Sequence, residues 1–228
     1  MKAEPIYAKG ENAMNISSLD SINRRKKILL ALVLIAAALS AVATAALVAY
    51  YFDAFLKAGV AGQKFRLAVL WSVARPVAMT VCSLLCFLFC WRAEKRPWLT
   101  VLPMAVYYVG AAVLYLGFWS GLSPVNVAKY ACYVLFVLAG ALTLSGRLKG
   151  AGRWINLVLG LACVGFRLSV FVPVVAAVFG MIGVADAKTV TANLIALLPF
   201  CAELLVLAGM ILHPFIRGAK EAAPEPQQ

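Results

Sequence analysis

Residues 24–52 read RRKK-ILLALVLIAAALSAVATAALVAYYF, four cations followed by an apolar run without a single charge. At about 1.5 Å of rise per residue, roughly 20 such residues cross the ~30 Å of bilayer hydrocarbon as one helix. A helix satisfies its own backbone hydrogen bonds, which hydrocarbon cannot do for it. The Ala43-Thr44-Ala45 step resembles a signal-peptide cleavage site. However, the basic flank comes only after more than about twenty residues, and apolar sequence runs on past the step, so the segment reads as a retained spanning helix.

Five further blocks share this character, at 67–91, 98–119, 125–144, 154–184 and 190–216. The chain is therefore expected to be an all-α, polytopic integral membrane bundle of six transmembrane helices. A polar tail covers 1–27, with a short interfacial helix expected near 17–23; the helical domain covers 28–216, and a short tail covers 217–228. The fifth block is long for one crossing, which predicts tilt or a break at Pro173.

Composition supports this organisation. Of 228 residues, 64% are hydrophobic and 13% charged, too little polar surface to cover a soluble fold of this length. The formal charge of +12 does not indicate nucleic-acid binding, because the cations cluster at block ends rather than along one face. They act instead as topology determinants. Arg24, Arg25, Lys26, Lys27, Arg92, Lys95, Arg96, Arg147, Lys149, Arg153, Arg217 and Lys220 flank one set of ends. Only Lys57, Lys64, Arg66, Lys129 and Lys188 fall at the other. The positive-inside rule then places both termini in the cytoplasm. Trp91, Trp98 and Trp154 would mark the inner interface, and Tyr50, Tyr51 and Trp119 the outer one. Compact loops point to a bacterial cytoplasmic membrane.

Cys82, Cys86, Cys90, Cys132, Cys163 and Cys201 all lie within apolar blocks and read as small apolar residues rather than a disulfide framework. The Cys82, Cys86, Cys90 stripe has no His or carboxylate beside it in its block, and His213 is the sole histidine. Neither a metal site nor a cofactor is expected. Paired intramembrane carboxylates, a Ser-His grouping and a glycine-rich phosphate loop are missing, so no enzymatic chemistry is expected. A faint repeat (Arg75-Pro76 against Arg167 and Pro173; Leu102-Pro103 against Leu198-Pro199) is too sparse to establish inverted halves.

Three residues remain that are expensive in hydrocarbon, at about 2.5–3.5 kcal/mol each at a helix centre: Arg75, Arg167 and Glu203. Helical rise puts Arg167 roughly 20 Å, Glu203 roughly 15 Å and Arg75 roughly 24 Å from the inner interface. An Arg167–Glu203 pair between consecutive antiparallel helices is expected. Arg75 has no obvious acidic partner, apart from Asp53 or Asp186 at outer helix ends. Lys129, near an outer end, is expected to snorkel to water.

Arg167 shares a face with Asn156, Gly160 and Cys163; Arg75 with Ser72, Met79, Cys82 and Cys86; Glu203 with Ala192, Ala196 and Pro199. Two readings follow. One is a packed interior in which the charges tie helices together. The other is a polar cavity near mid-membrane, opened by Pro76, Pro173 and Pro199, with net charge +1 and suited to a small anionic, carboxylate-bearing solute. The first function considered is a small transport or solute-binding membrane subunit with Arg75, Arg167 and Glu203 as its site. The alternative is a non-catalytic accessory or scaffold subunit that docks a membrane-protein partner through the Ala-rich first helix. In size and architecture, six helices with an Ala-rich first one look like the substrate-binding subunits of energy-coupling-factor transporters; no motif carries that likeness further.

Overall fold

In the computed structural model the described backbone comprises residue 24 and residues 26–49, 63–92, 96–118, 123–148 and 150–221. The tail with its expected helix at 17–23, and Tyr50, Tyr51, Asp53, Lys57 and Trp119, lie outside the described residues. Among the described residues the elements are α1 (Lys26–Ala49), α2 (Gln63–Arg92), a 3-10 turn (Pro97–Thr100), α3 (Leu102–Phe118), α4 (Pro124–Leu144), α5 (Gly150–Gly180) and α6 (Ala187–Glu221). Strands are absent from these residues. Five of the six helices are long and apolar enough to cross a membrane, and α3 is the shorter one. The protein is a helical membrane bundle.

The third block departs from the expected single helix of 98–119. Pro97 opens a 3-10 turn, and the α-helix starts only at Leu102. Pro103 explains the late start: its ring blocks the i−4 carbonyl and it carries no N–H, so it is tolerated in the first turn of a helix but not deeper. The fifth block shows no break. α5 runs unbroken through Pro173, and its 31 residues extend about 46 Å, well beyond the hydrocarbon thickness. Three threonine hydroxyls inside the spans find local partners, whereas Ser40 Oγ and Ser83 Oγ are buried without one. Thr44, Thr80 and Thr143, all half-buried, donate to the carbonyls of Ser40, Pro76 and Ala139 at 2.7–2.8 Å, so these three donors are met inside the apolar bundle.

Small residues set how closely the helices approach. On α5, Gly152, Asn156, Gly160, Cys163 and Arg167 repeat at helical spacing and are all buried. Gly160 lies where Ile211 of α6 and Phe136 of α4 converge, with Phe136 Cε2 only 2.8 Å from where a Cβ would stand. On α1, Ala36, Ala37, Ser40 and Ala43 are buried, and Leu29 and Val33 pack on Gly209 of α6. Outward positions are apolar instead, among them Val42, Val106, Val113, Val158 and Val172, as expected where the solvent is lipid.

Trp91, Trp98 and Trp154 are exposed and lie at one end of the bundle by topology: the end of α2, the turn before α3 and the start of α5. Trp154 packs edge-on against Phe215 near the end of α6, with centroids 5.9 Å apart. At the same end Thr100 donates to the Pro97 carbonyl at 2.7 Å and accepts from His213 Nδ1 at 3.3 Å, which ties the 3-10 turn to α6. At the opposite end the chain turns through Gly183 in the left-handed region (φ 85°), and Asp186 Oδ2 accepts the Thr189 N–H at 3.0 Å, capping α6. The Thr189 hydroxyl, and then its backbone N–H, hold the Asp186 carboxyl below its ordinary value. A lowered folded value stabilises above the unfolded pKa and is lost as pH falls through the folded one. Asp186→Ala is therefore expected to unfold at lower temperature than wild type at neutral pH. That gap should close on acidification from roughly pH 6 to pH 2, as read by thermal unfolding in detergent.

Candidate functional site

The three expected charges meet. α2 supplies Arg75, α5 Arg167 and α6 Glu203, and both guanidiniums converge on one oxygen of one carboxylate. Arg75 Nη2 donates to Glu203 Oε2 at 3.1 Å, and Arg167 Nη2 stands 2.5 Å from the same atom. Arg167 and Glu203 are 4% and 3% exposed, whereas a quarter of the Arg75 side chain is accessible. The expected Arg167–Glu203 pair is present. Arg75, for which no acidic partner was evident, also pairs with Glu203; Asp53 lies outside the described residues, and Asp186 instead caps α6 through the Thr189 N–H. Only helices consecutive in sequence were expected to pair, whereas α2 also packs on α6.

The two contacts to Glu203 differ in kind. Arg75 makes a directed hydrogen bond, and its Nε also reaches the Tyr107 hydroxyl at 3.4 Å. Arg167 touches the carboxylate as an ion pair, but Oε2 lies off the line of its N–H bonds, so neither Nε nor Nη2 of Arg167 has a hydrogen bond. Those two nitrogens form the side-on edge of a guanidinium, the fork that seats a carboxylate with two parallel bonds. Buried donors without hydrogen bonds are costly, on the order of 1–3 kcal/mol per unmade bond and more for a charged group, a cost the ion pair with Glu203 offsets in part.

Aromatic side chains frame the charges. Phe200 lies under both guanidiniums, its centroid 4.8 Å from Arg75 Cζ and 4.0 Å from Arg167 Cζ, an attractive cation–π geometry in a dry setting. It stands three residues before Glu203 and so on the same face of α6. On α3, Tyr107 and Tyr108 pack edge to face, and Tyr108 stacks on Tyr133 of α4 at 4.5 Å. The Tyr108 hydroxyl is buried next to Glu203 without a well-formed hydrogen bond.

Lys129 also lies close to the charges. It is half-buried, with Nζ over the rings of Tyr130 at 5.3 Å and Tyr115 at 5.8 Å and within Coulombic range of Glu203 and Arg75. These two rings, one on α3 and one on α4, hold its ammonium beside the site. Counting Arg75, Arg167 and Lys129 against Glu203, the local balance is about +2 rather than +1.

Comparison with known proteins finds no matching family model, no matching curated protein and no matching solved structure. The site is therefore read from its own chemistry. Among the described residues no group of three or more His, Cys, Asp or Glu gathers to hold a metal ion. Cys82 and Cys86 are buried in the apolar core beside Met79 and Met104. Tyr107, Tyr108 and Phe200 were not singled out from the sequence, and Lys129 was left out of the site. The i−3 spacing of Phe200 to Glu203 was an available signal; the tyrosines carried none beyond a polar tip in an apolar block.

Proposed function

We propose that this protein is a small transport or solute-binding membrane subunit whose buried arginine pair seats an anionic, carboxylate-bearing solute. The observation that carries this reading is the Nε–Nη2 edge of Arg167, in ion-pair contact with Glu203 but without a hydrogen bond, buried beside a local excess of positive charge. A solute carboxylate would complete the hydrogen bonds that Glu203 leaves unmade. Phe200 and the tyrosines offer apolar and aromatic walls to the rest of the molecule. Arg75, the most accessible of the three charges, is the group a solute would meet first.

The alternative is an accessory subunit in which the triad only ties α2, α5 and α6 together. Its expected docking face is partly in use already, since Ala36, Ala37, Ser40 and Ala43 of α1 are buried within the chain; Ala38, Ala41 and Ala45 face outward. Thermal unfolding of purified protein with acetate, lactate, phosphate and sulfate, each against chloride at matched ionic strength, separates the two. A solute site gives wild type an upward shift with at least one anion, worth about 2.7 kcal/mol at a hundred times Kd, and Arg75→Leu loses that shift while remaining folded. If no anion moves wild type, or Arg75→Leu shifts equally, the triad is structural only.

A further inference from the structure

We infer that Glu203 is a resident stand-in for the solute's carboxylate, so that anion binding is linked to uptake of one proton by Glu203. This deepens the proposed anion seat and rests on it.

Both guanidiniums point an Nη2 at Glu203 Oε2, so the space between them is one carboxylate wide and Glu203 occupies it. The donors left without a hydrogen bond are on the Nε–Nη2 edge of Arg167, closed to solvent and already in contact with that same Oε2, so an anion takes this edge only by displacing Glu203 from it. An anion seated there brings a second negative charge against the first in a site where Glu203 is 3% exposed. Two carboxylates in close contact away from water do not both stay ionised, and one of them holds a proton. Of the two, Glu203 is the one that loses donors when the solute takes the Arg167 fork. The proton comes from bulk water and resides on a Glu203 oxygen, with the solute remaining the anion.

The groups facing Glu203 fit this assignment. They are Arg75 from α2, Tyr107 and Tyr108 from α3, Lys129 with Tyr130 and Tyr133 from α4, and Arg167 with Cys163 from α5. Tyrosine, lysine and arginine keep their protons through neutral pH, and so does a thiol shut away from water. That leaves Glu203 as the one carboxylate among them able to accept a proton there. Tyr108, buried with an unfilled hydroxyl, stands where it can accept a hydrogen bond from the protonated carboxyl.

The test is lactate affinity for purified full-length protein from pH 5.5 to pH 8.5, measured by equilibrium dialysis, with proton uptake followed by an indicator dye in weak buffer. The expected result is affinity that strengthens as pH falls, by up to about tenfold per pH unit, with about one proton taken up per lactate bound. Glu203→Gln, a fixed neutral carboxamide, should bind lactate with no pH slope and no proton uptake. Saturable binding in wild type with no slope and no proton uptake overturns the inference while leaving the anion seat standing. A slope that persists in Glu203→Gln overturns it too, because the proton then goes elsewhere. Absence of lactate binding at every pH removes the seat and this inference together. Should Glu203→Gln not fold, the wild-type slope and proton count decide alone.

Discussion

Glu203→Gln is expected to be the most destabilising single substitution in the bundle interior. It removes the one negative charge between Arg75 and Arg167 and leaves two guanidiniums facing each other in a site almost closed to solvent. Breaking a buried pair by removing one partner costs about 3–5 kcal/mol, because the charge left behind has neither water nor counterion. Here two charges are left behind rather than one. The converse substitutions should be milder. Arg167→Leu leaves Glu203 paired with Arg75, and Arg75→Leu leaves it paired with Arg167, so neither strands the carboxylate. Thermal unfolding in detergent should rank Glu203→Gln well below both. Adding an anion that binds wild type should recover much of the Glu203→Gln loss by supplying the missing charge. If all three variants unfold at the same temperature, the triad does not hold the helices in the way described.

Gly160→Ala is expected to destabilise by about 1–3 kcal/mol, the usual range for forcing extra volume into a packed interior. The added methyl would meet Ile211 and Phe136 at once, from two different helices. Neither can retreat easily, since Phe136 is fully buried and Ile211 nearly so. Gly165, five positions on along the same helix, supplies the control. A methyl there meets nothing within 4 Å, so Gly165→Ala should be neutral, or stabilising by up to about 1 kcal/mol through helix propensity. Opposite signs at two glycines of one helix cannot come from propensity alone. Equal effects would mean that α5 does not face α4 and α6 through Gly160.

How much of this was legible beforehand depended on what lipid constrains. Long uncharged runs forced helices, and the 3.6-residue period forced Asn156, Gly160, Cys163 and Arg167 onto one face, which is the face that packs. The depth estimates for Arg167 and Glu203 brought them together for the same reason, as rise per residue is nearly fixed. The partnership of Arg75 with Glu203 was not legible, because the packing of α2 on α6 depends on how six helices arrange around one another and not on any local pattern. The aromatic contacts of Lys129 were not legible from its depth either, because Tyr115 lies on a different helix and meets it only once α3 and α4 pack. The proline positions were visible, but whether a helix breaks there depends on its neighbours. α5 remains continuous through Pro173 and α6 through Pro199.

The central claim is that the Arg167 fork, with Arg75 beside it, holds an anion. Saturable binding of labelled lactate, with acetate, phosphate and sulfate as competitors, tests it most directly when wild type is set against Arg167→Lys. Lysine keeps the charge next to Glu203 but cannot present two parallel donors. The account expects one displaceable anion per chain in wild type and at least a tenfold loss of affinity in Arg167→Lys, with folding intact. Binding undiminished in Arg167→Lys, or no saturable binding of any of these anions to wild type, would contradict it.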